Sequence, residues 1–169
     1  MEKILGLIGS IKAVTGEFPC KKTVQKMVYL IQENGLDWGY DYSIHFYGPY
    51  SAELDSEIRY LHNCGCLNID ISSRGHTISV GESSHMPYIE LEDAKKVIES
   101  FAMKSPSDLE LLTTALYVQR EASPAFYEDI YEGVKKIKGT KYSEAKIESA
   151  IYELVDKDYF KLAACAPNI

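Results

Sequence analysis

The stretch YGPYSAEL, residues 47–54, decides how the N-terminal half of this chain folds. Gly48 and Pro49 predict a corner. Ser51 is a natural helix N-cap, because its hydroxyl can accept a hydrogen bond from a free N–H of the first turn. Just upstream, DYSIHFY (41–47) alternates and is rich in β-branched and aromatic residues, which predicts a short strand. Downstream, Leu54, Ile58 and Leu61 mark the buried stripe of a helix that Gly65 ends.

Outward from this corner the periodicity stays legible. Ile4, Leu7, Ile8, Ile11 and Val14 keep helical spacing and predict a helix near 2–14, broken by Gly16 and Pro19. Val24, Met27, Val28 and Ile31 fall at i, i+3, i+4 and i+7 of a second helix, capped by Gly35. LNIDIS and HTISV then predict a hairpin joined through Ser73, Arg74 and Gly75. Helix, helix, strand, helix, hairpin is the order of a winged helix-turn-helix, expected here over residues 1–81. Residues 81–87 are polar and predict a linker. Beyond it, helical spacing predicts helices near 89–104, 107–120, 124–138 and 143–157, with Ser105-Pro106 and Ser123-Pro124 between the first three. The expected class is therefore α+β, mainly α, with a four-helix C-terminal domain over 88–169 packed on the first. YSAELDSEIRYL after Tyr50 is echoed by YSEAKIESAIYEL after Tyr142, which suggests a second helix-turn-helix-like end.

Bulk properties narrow the function classes. The chain of 169 residues is 46% hydrophobic and 25% charged, which is the balance of a globular protein. Its net charge of −7 is spread over both halves and argues against a general phosphate binder. No run reaches the roughly 18 apolar residues that span a bilayer. The first residues carry helical spacing and an acidic second position, and read as a helix of the mature protein. Cys20, Cys64, Cys66 and Cys165 form no disulfide framework, which points to a reducing cytoplasm.

Chemistry-bearing motifs are sparse. His62, Cys64 and Cys66 cluster but lack a second ligand pair at zinc spacing, so no metal is expected. There is no nucleophile elbow, no phosphate-cradling glycine loop and no cysteine in a basic setting, and the reading is a non-enzyme without cofactor. Lys21, Lys22 and Lys26 at the start of the second helix, with Arg74 and His76 at the hairpin, are the residues that would meet DNA. Against them stands the third helix. Outside its stripe lie Ala52, Glu53, Asp55, Ser56, Glu57, Arg59 and Tyr60, three carboxylates against one guanidinium where phosphate would approach. Acidic side chains in a first turn also complement the helix dipole. The basic run KKIKGTK (Lys135, Lys136, Lys138, Lys141) suits a helix C-terminus for the same reason, with a phosphate patch as the alternative. Thirteen tyrosines, many on helices, suit either an interface or a seam between domains.

KKTVQKMVYLIQENG, FYGPYSAEL and LHNCGCL together resemble the YwgA-like proteins of bacteria and archaea, and more distantly the Panacea antitoxin domain of phage-associated proteins and toxin–antitoxin operons. The matching positions are Lys22, Gln25, Lys26, Tyr29 and Leu30, then Tyr47 to Ser51 and Leu54, then Gly65 and Leu67. The resemblance implies a winged-helix fold without catalysis and, through the antitoxin relatives, recognition of a partner protein. Val24 departs from the leucine usual in the family. The resulting expectation is a cytoplasmic regulatory protein that presents Glu53, Asp55, Glu57, Arg59 and Tyr60 to a partner protein. The alternative is a DNA-binding transcription regulator that uses Lys21, Lys22, Lys26, Arg74 and His76, as a homodimer.

Overall fold

The computed structural model describes residues 2–72, 75–81, 91–122 and 124–163. Among them the chain is α+β and mainly helical, with seven α-helices and two small antiparallel hairpins. It divides into two compact units, one of Met1–Ser43 with Tyr50–Leu109, the other of Ile44–Pro49 with Glu110–Ile169.

In the first unit, α1 (Glu2–Thr15) and α2 (Lys21–Glu33) are followed by α3 (Ala52–Asn63). Ile4, Leu7, Ile8 and Ile11 of α1 are buried as their spacing predicts, whereas Val14 is exposed. The stripe of α2 is buried too, and so is every residue from Thr23 to Ile31, so this helix is wrapped on all sides. Leu54, Ile58 and Leu61 of α3 complete the core with Leu67 and Ile78 of the second hairpin.

Both helix ends predicted from glycine are seen. Gly35 and Gly65 take φ +95° and +73°. Behind each, the next N–H reaches back to the carbonyl five residues earlier, Leu36 to Ile31 and Cys66 to Leu61, which satisfies the last carbonyls of α2 and α3.

Strands β3 (Leu67–Ser72) and β4 (Gly75–Val80) pair in register from Leu67 opposite Val80 to Ser72 opposite Gly75. Arg74 lies outside the described residues. The base of this hairpin is closed by Gly81, whose N–H donates to the Cys66 carbonyl at 2.8 Å. A Cβ there would sit 2.2 Å from the Gly65 carbonyl oxygen, so only glycine fits. The unit ends with α4 and the first turn of α5. The predicted helix 89–104 is shorter in the structure: a 3-10 turn at Glu92–Ala94 leads into α4 (Lys95–Phe101), and residues 82–90 lie outside the described set.

In the second unit, α5 (Pro106–Glu121) continues from Glu110, followed by α6 (Tyr127–Lys138) and α7 (Glu144–Asp156). Leu112, Leu116, Ile130, Val134, Ile147 and Ile151 form its core. The echoed helix α7 ends with Asp158 at φ +60°, the counterpart of Gly65, but no strand follows it among the described residues.

The strand predicted over 41–47 is also corrected. Only Ser43–His45 (β1) is extended; Phe46 and Tyr47 form a two-residue turn, and Gly48–Tyr50 (β2) pairs back on β1. The corner is therefore at the aromatic pair rather than at Gly48 and Pro49. Neither aromatic residue has positive φ, so the turn is not one of the mirror-image types that match strand twist, and Gly48 absorbs the mismatch at φ +84°.

Candidate functional site

The start of α3 is positioned by one side chain. Gln25, buried in α2, donates from Nε2 to the Ser51 carbonyl at 2.9 Å and accepts at Oε1 from the Ser51 N–H at 3.0 Å. The Ser51 hydroxyl in turn accepts from the Leu54 N–H at 3.2 Å, the N-cap bond its position predicts. Tyr42 donates its hydroxyl to the Gln25 carbonyl at 3.0 Å, with its ring tilted against Tyr29. α3 is thus fixed in angle and depth before its own side chains act.

Its carboxylates are engaged within the unit. Asp55 is only 2% exposed and is clasped by the Lys21 ammonium and the Arg59 guanidinium. Burial alone would raise its pKa. Lys21, Arg59 and the Tyr50 hydroxyl outweigh that and hold it below the ordinary carboxylate value. Glu57 accepts from the Tyr40 hydroxyl at 2.8 Å, and burial with this carboxylate pushes the Tyr40 phenol upward. Glu53 accepts from the Asp41 N–H at 3.2 Å. Asp55 is therefore not part of the outward face on which the sequence pattern puts it. It adjoins Leu54 on the buried stripe, and Lys21 of α2 supplies the compensating charge.

The proposed DNA contacts fare differently from one another. Lys21 is paired to Asp55, so two residues assigned to rival readings hold each other. Lys26 is 2% exposed. Lys22 is half-buried, and His76 is exposed on β4. What α3 does present outward includes Glu53, Ser56, Arg59 and Tyr60, the last 56% exposed, with His62 and Asn63 at its end.

A second constellation, in the other unit, joins two lysines of the basic run KKIKGTK to a carboxylate that was not singled out from sequence. Glu110 of α5 is wholly buried, and its Oε1 accepts from Lys138 Nζ at 2.9 Å and from Lys141 Nζ at 2.6 Å. Lys138 also donates to the carbonyl of Phe46 at 2.8 Å. Gly48 is pressed onto the same helix, where an added Cβ would lie 2.9 Å from Thr114 Oγ1 and 3.3 Å from the Glu110 carbonyl. Lys141 Nζ lies 5.6 Å from the centre of the Tyr47 ring. Burial lowers its pKa, but the bond to Glu110 raises it further, so the ammonium stays charged. The available signal was Glu110 itself, a lone carboxylate inside the run LELLTTAL.

Elsewhere in this unit Tyr127 stacks between Tyr131 and Tyr152, each at 5.8 Å, and Lys135 lies over Tyr131 and pairs with Glu144 at 3.4 Å. Cys20, Cys64 and Cys66 are free thiols, and no three of His, Cys, Asp and Glu converge among the described residues. No described helix is long and apolar enough to cross a membrane.

No protein-family model matches the chain. The uncharacterised protein YwgA of Bacillus subtilis (strain 168) is 32% identical to it over 111 residues, a span of 61% of this chain and 67% of that protein.

Proposed function

We propose that this chain, which belongs to the YwgA-like family, is a non-enzymatic regulatory protein of the winged-helix type that recognises a partner protein in the cytoplasm, in the manner of an antitoxin or adaptor. The fold assignment is supported by the order α1, α2, hairpin, α3, hairpin, with α3 in the place of a recognition helix and β3–β4 in the place of the wing.

One observation carries the choice of partner: two of the cations that a DNA reader would extend are withdrawn by the protein's own packing. Lys21 holds Asp55 and Lys26 is buried. Phosphate neutralisation by free Lys and Arg supplies most non-specific DNA affinity, and net −7 opposes it. Exposed aromatic residues such as Tyr60 are the side chains that anchor protein interfaces.

Affinity capture from the native cell, with wild type beside Tyr60→Ala and Glu53→Lys, tests this. A specific partner that wild type retains and both variants lose, with unchanged melting temperatures, supports the reading. Capture of nothing by wild type, together with salt-sensitive retention on heparin, would replace it with the DNA-binding alternative.

A further inference from the structure

Two thiols meet where α3 ends. Cys64 is exposed and Cys66 half-buried, with one glycine between them. The backbone that carries them is fully bonded. The Cys64 N–H donates to the Tyr60 carbonyl at 3.0 Å, Gly65 to His62 at 3.0 Å and Cys66 to Leu61 at 2.9 Å. The last two bonds, with Gly65 at φ +73°, make a left-handed helix closure. On the far side the Cys66 carbonyl accepts from the Gly81 N–H at 2.8 Å, so the turn is tied both to the helix and to the base of the hairpin.

This closure sets how far apart the two cysteines stand. Two trans peptides folded at a left-handed residue place the flanking Cα atoms about 5–6 Å apart, against about 7 Å in an extended chain. A disulfide joins Cα atoms about 4.4–6.8 Å apart, so the folded turn lies inside the window and an extended one at or beyond its edge. The side chains agree. Cys66 Sγ leans back to 4.0 Å from the Cys64 carbonyl oxygen. The Tyr60 hydroxyl is hydrogen-bonded to Cys64 and also feels the charge of Cys66, which together push its phenol upward. One exposed hydroxyl therefore senses both sulfurs.

Cys20 is no competitor for either thiol. It bridges to Thr77, three residues along β4 from Val80, the partner of Leu67 beside Cys66, and three strand residues span about 10 Å. Cys165 lies outside the described residues.

We propose that Cys64 and Cys66 form a reversible redox modification site, a dithiol that a small disulfide oxidises to an intrachain bridge. The exposed Cys64 thiolate attacks one sulfur of the small disulfide. An S–S bond forms to that half, and the other half leaves as a thiolate that takes up a proton. The Cys66 thiolate then attacks the Cys64 sulfur, closing the bridge and expelling the bound half as a second thiol. The protein loses two electrons and two protons, and the small disulfide gains them as two thiols. The fold acts on the equilibrium, because the second thiol is already held beside the first. In reducing compartments bridges of this kind are transient and redox-sensing. The site stands independently of the partner-protein reading above.

The test equilibrates the full chain with oxidised and reduced glutathione, then quenches it in acid, alkylates free thiols and digests with trypsin. Peptide 60–74 contains Cys64 and Cys66 and no other cysteine. The expected product is this peptide lighter by two hydrogens and restored by dithiothreitol. Its equilibrium constant should be about tenfold or more above that of the same chain in urea. Cys66→Ser, with an unchanged melting temperature, should retain a glutathione adduct on Cys64. A peptide that stays fully alkylated, a bridge from either thiol to Cys20 or Cys165, or a constant no higher than in urea overturns the site. Faster adduct formation on Cys66 in Cys64→Ser than on Cys64 in Cys66→Ser overturns the order of attack.

Discussion

Asp55 and Glu110 are both carboxylates taken out of water, and each faces two cations, yet the two sites sit in different regimes. The partners of Asp55 reach solvent, with side chains 25% (Lys21) and 68% (Arg59) exposed. Of the partners of Glu110, Lys141 reaches it as Lys21 does, at 33%, but Lys138 is shut off from it, at 1%. A cation at the surface can return to water when its partner is lost, whereas a buried one cannot. The first cluster therefore seats α3 on α2 at modest cost, and the second holds the aromatic turn in place at high stakes.

Breaking the buried cluster should have the largest effect. Glu110→Ala strands Lys138 without its counter-ion and should lower unfolding stability by about 3–5 kcal/mol, read from urea midpoints. A loss under about 1 kcal/mol would mean that the interior tolerates the unpaired ammonium, and the contrast with Asp55 would collapse. Next comes Gly48→Ala. A methyl group there meets Thr114 and the Glu110 carbonyl in a backbone region that L-residues avoid, so a loss of about 2–3 kcal/mol is expected.

Asp55→Asn should cost less, about 1–2 kcal/mol, because both released cations can be hydrated. Its pH dependence sharpens the contrast. The folded pKa of Asp55 is depressed, so its contribution is complete above the unfolded value of about 3.9 and is lost as pH falls through the lower folded value. The gap between wild type and Asp55→Asn should hold from neutral pH to about 5 and close below about 4. A gap that closes nearer neutrality would contradict the assigned direction. Smallest of all, Arg59→Ala removes a largely exposed partner and should change stability by no more than about 0.5 kcal/mol in thermal melts.

The same contrast explains what could be read from sequence. The stripes of α1, α2 and α3, the Ser51 cap and the Gly35 and Gly65 endings are encoded within a turn or two of chain, and the structure has them, save that Val14 at the end of the α1 stripe is exposed. Asp55 was assigned to the wrong side of α3 because its position adjoins the stripe, and only Lys21, brought in by folding from another helix, makes burial tolerable. Glu110 is harder still, since its partners lie 28 and 31 residues away. The turn at Phe46-Tyr47 was hidden because alternating aromatics look the same in a strand as on the tip of a hairpin. The grouping of Ile44–Pro49 with Glu110–Ile169 has no local signal at all, as it depends on where Gly48 lands.

The central claim is that Lys21, at the start of α2, is engaged by Asp55 together with Arg59, and so is not offered to phosphate. Fluorescence anisotropy of a labelled DNA duplex, titrated at low salt with wild type and with Asp55→Asn, tests it most directly. The account predicts a flat wild-type titration and a weak, salt-sensitive gain in Asp55→Asn, where Lys21 and Arg59 are released. Wild-type binding that falls steeply with salt and weakens in Lys22→Ala would contradict it.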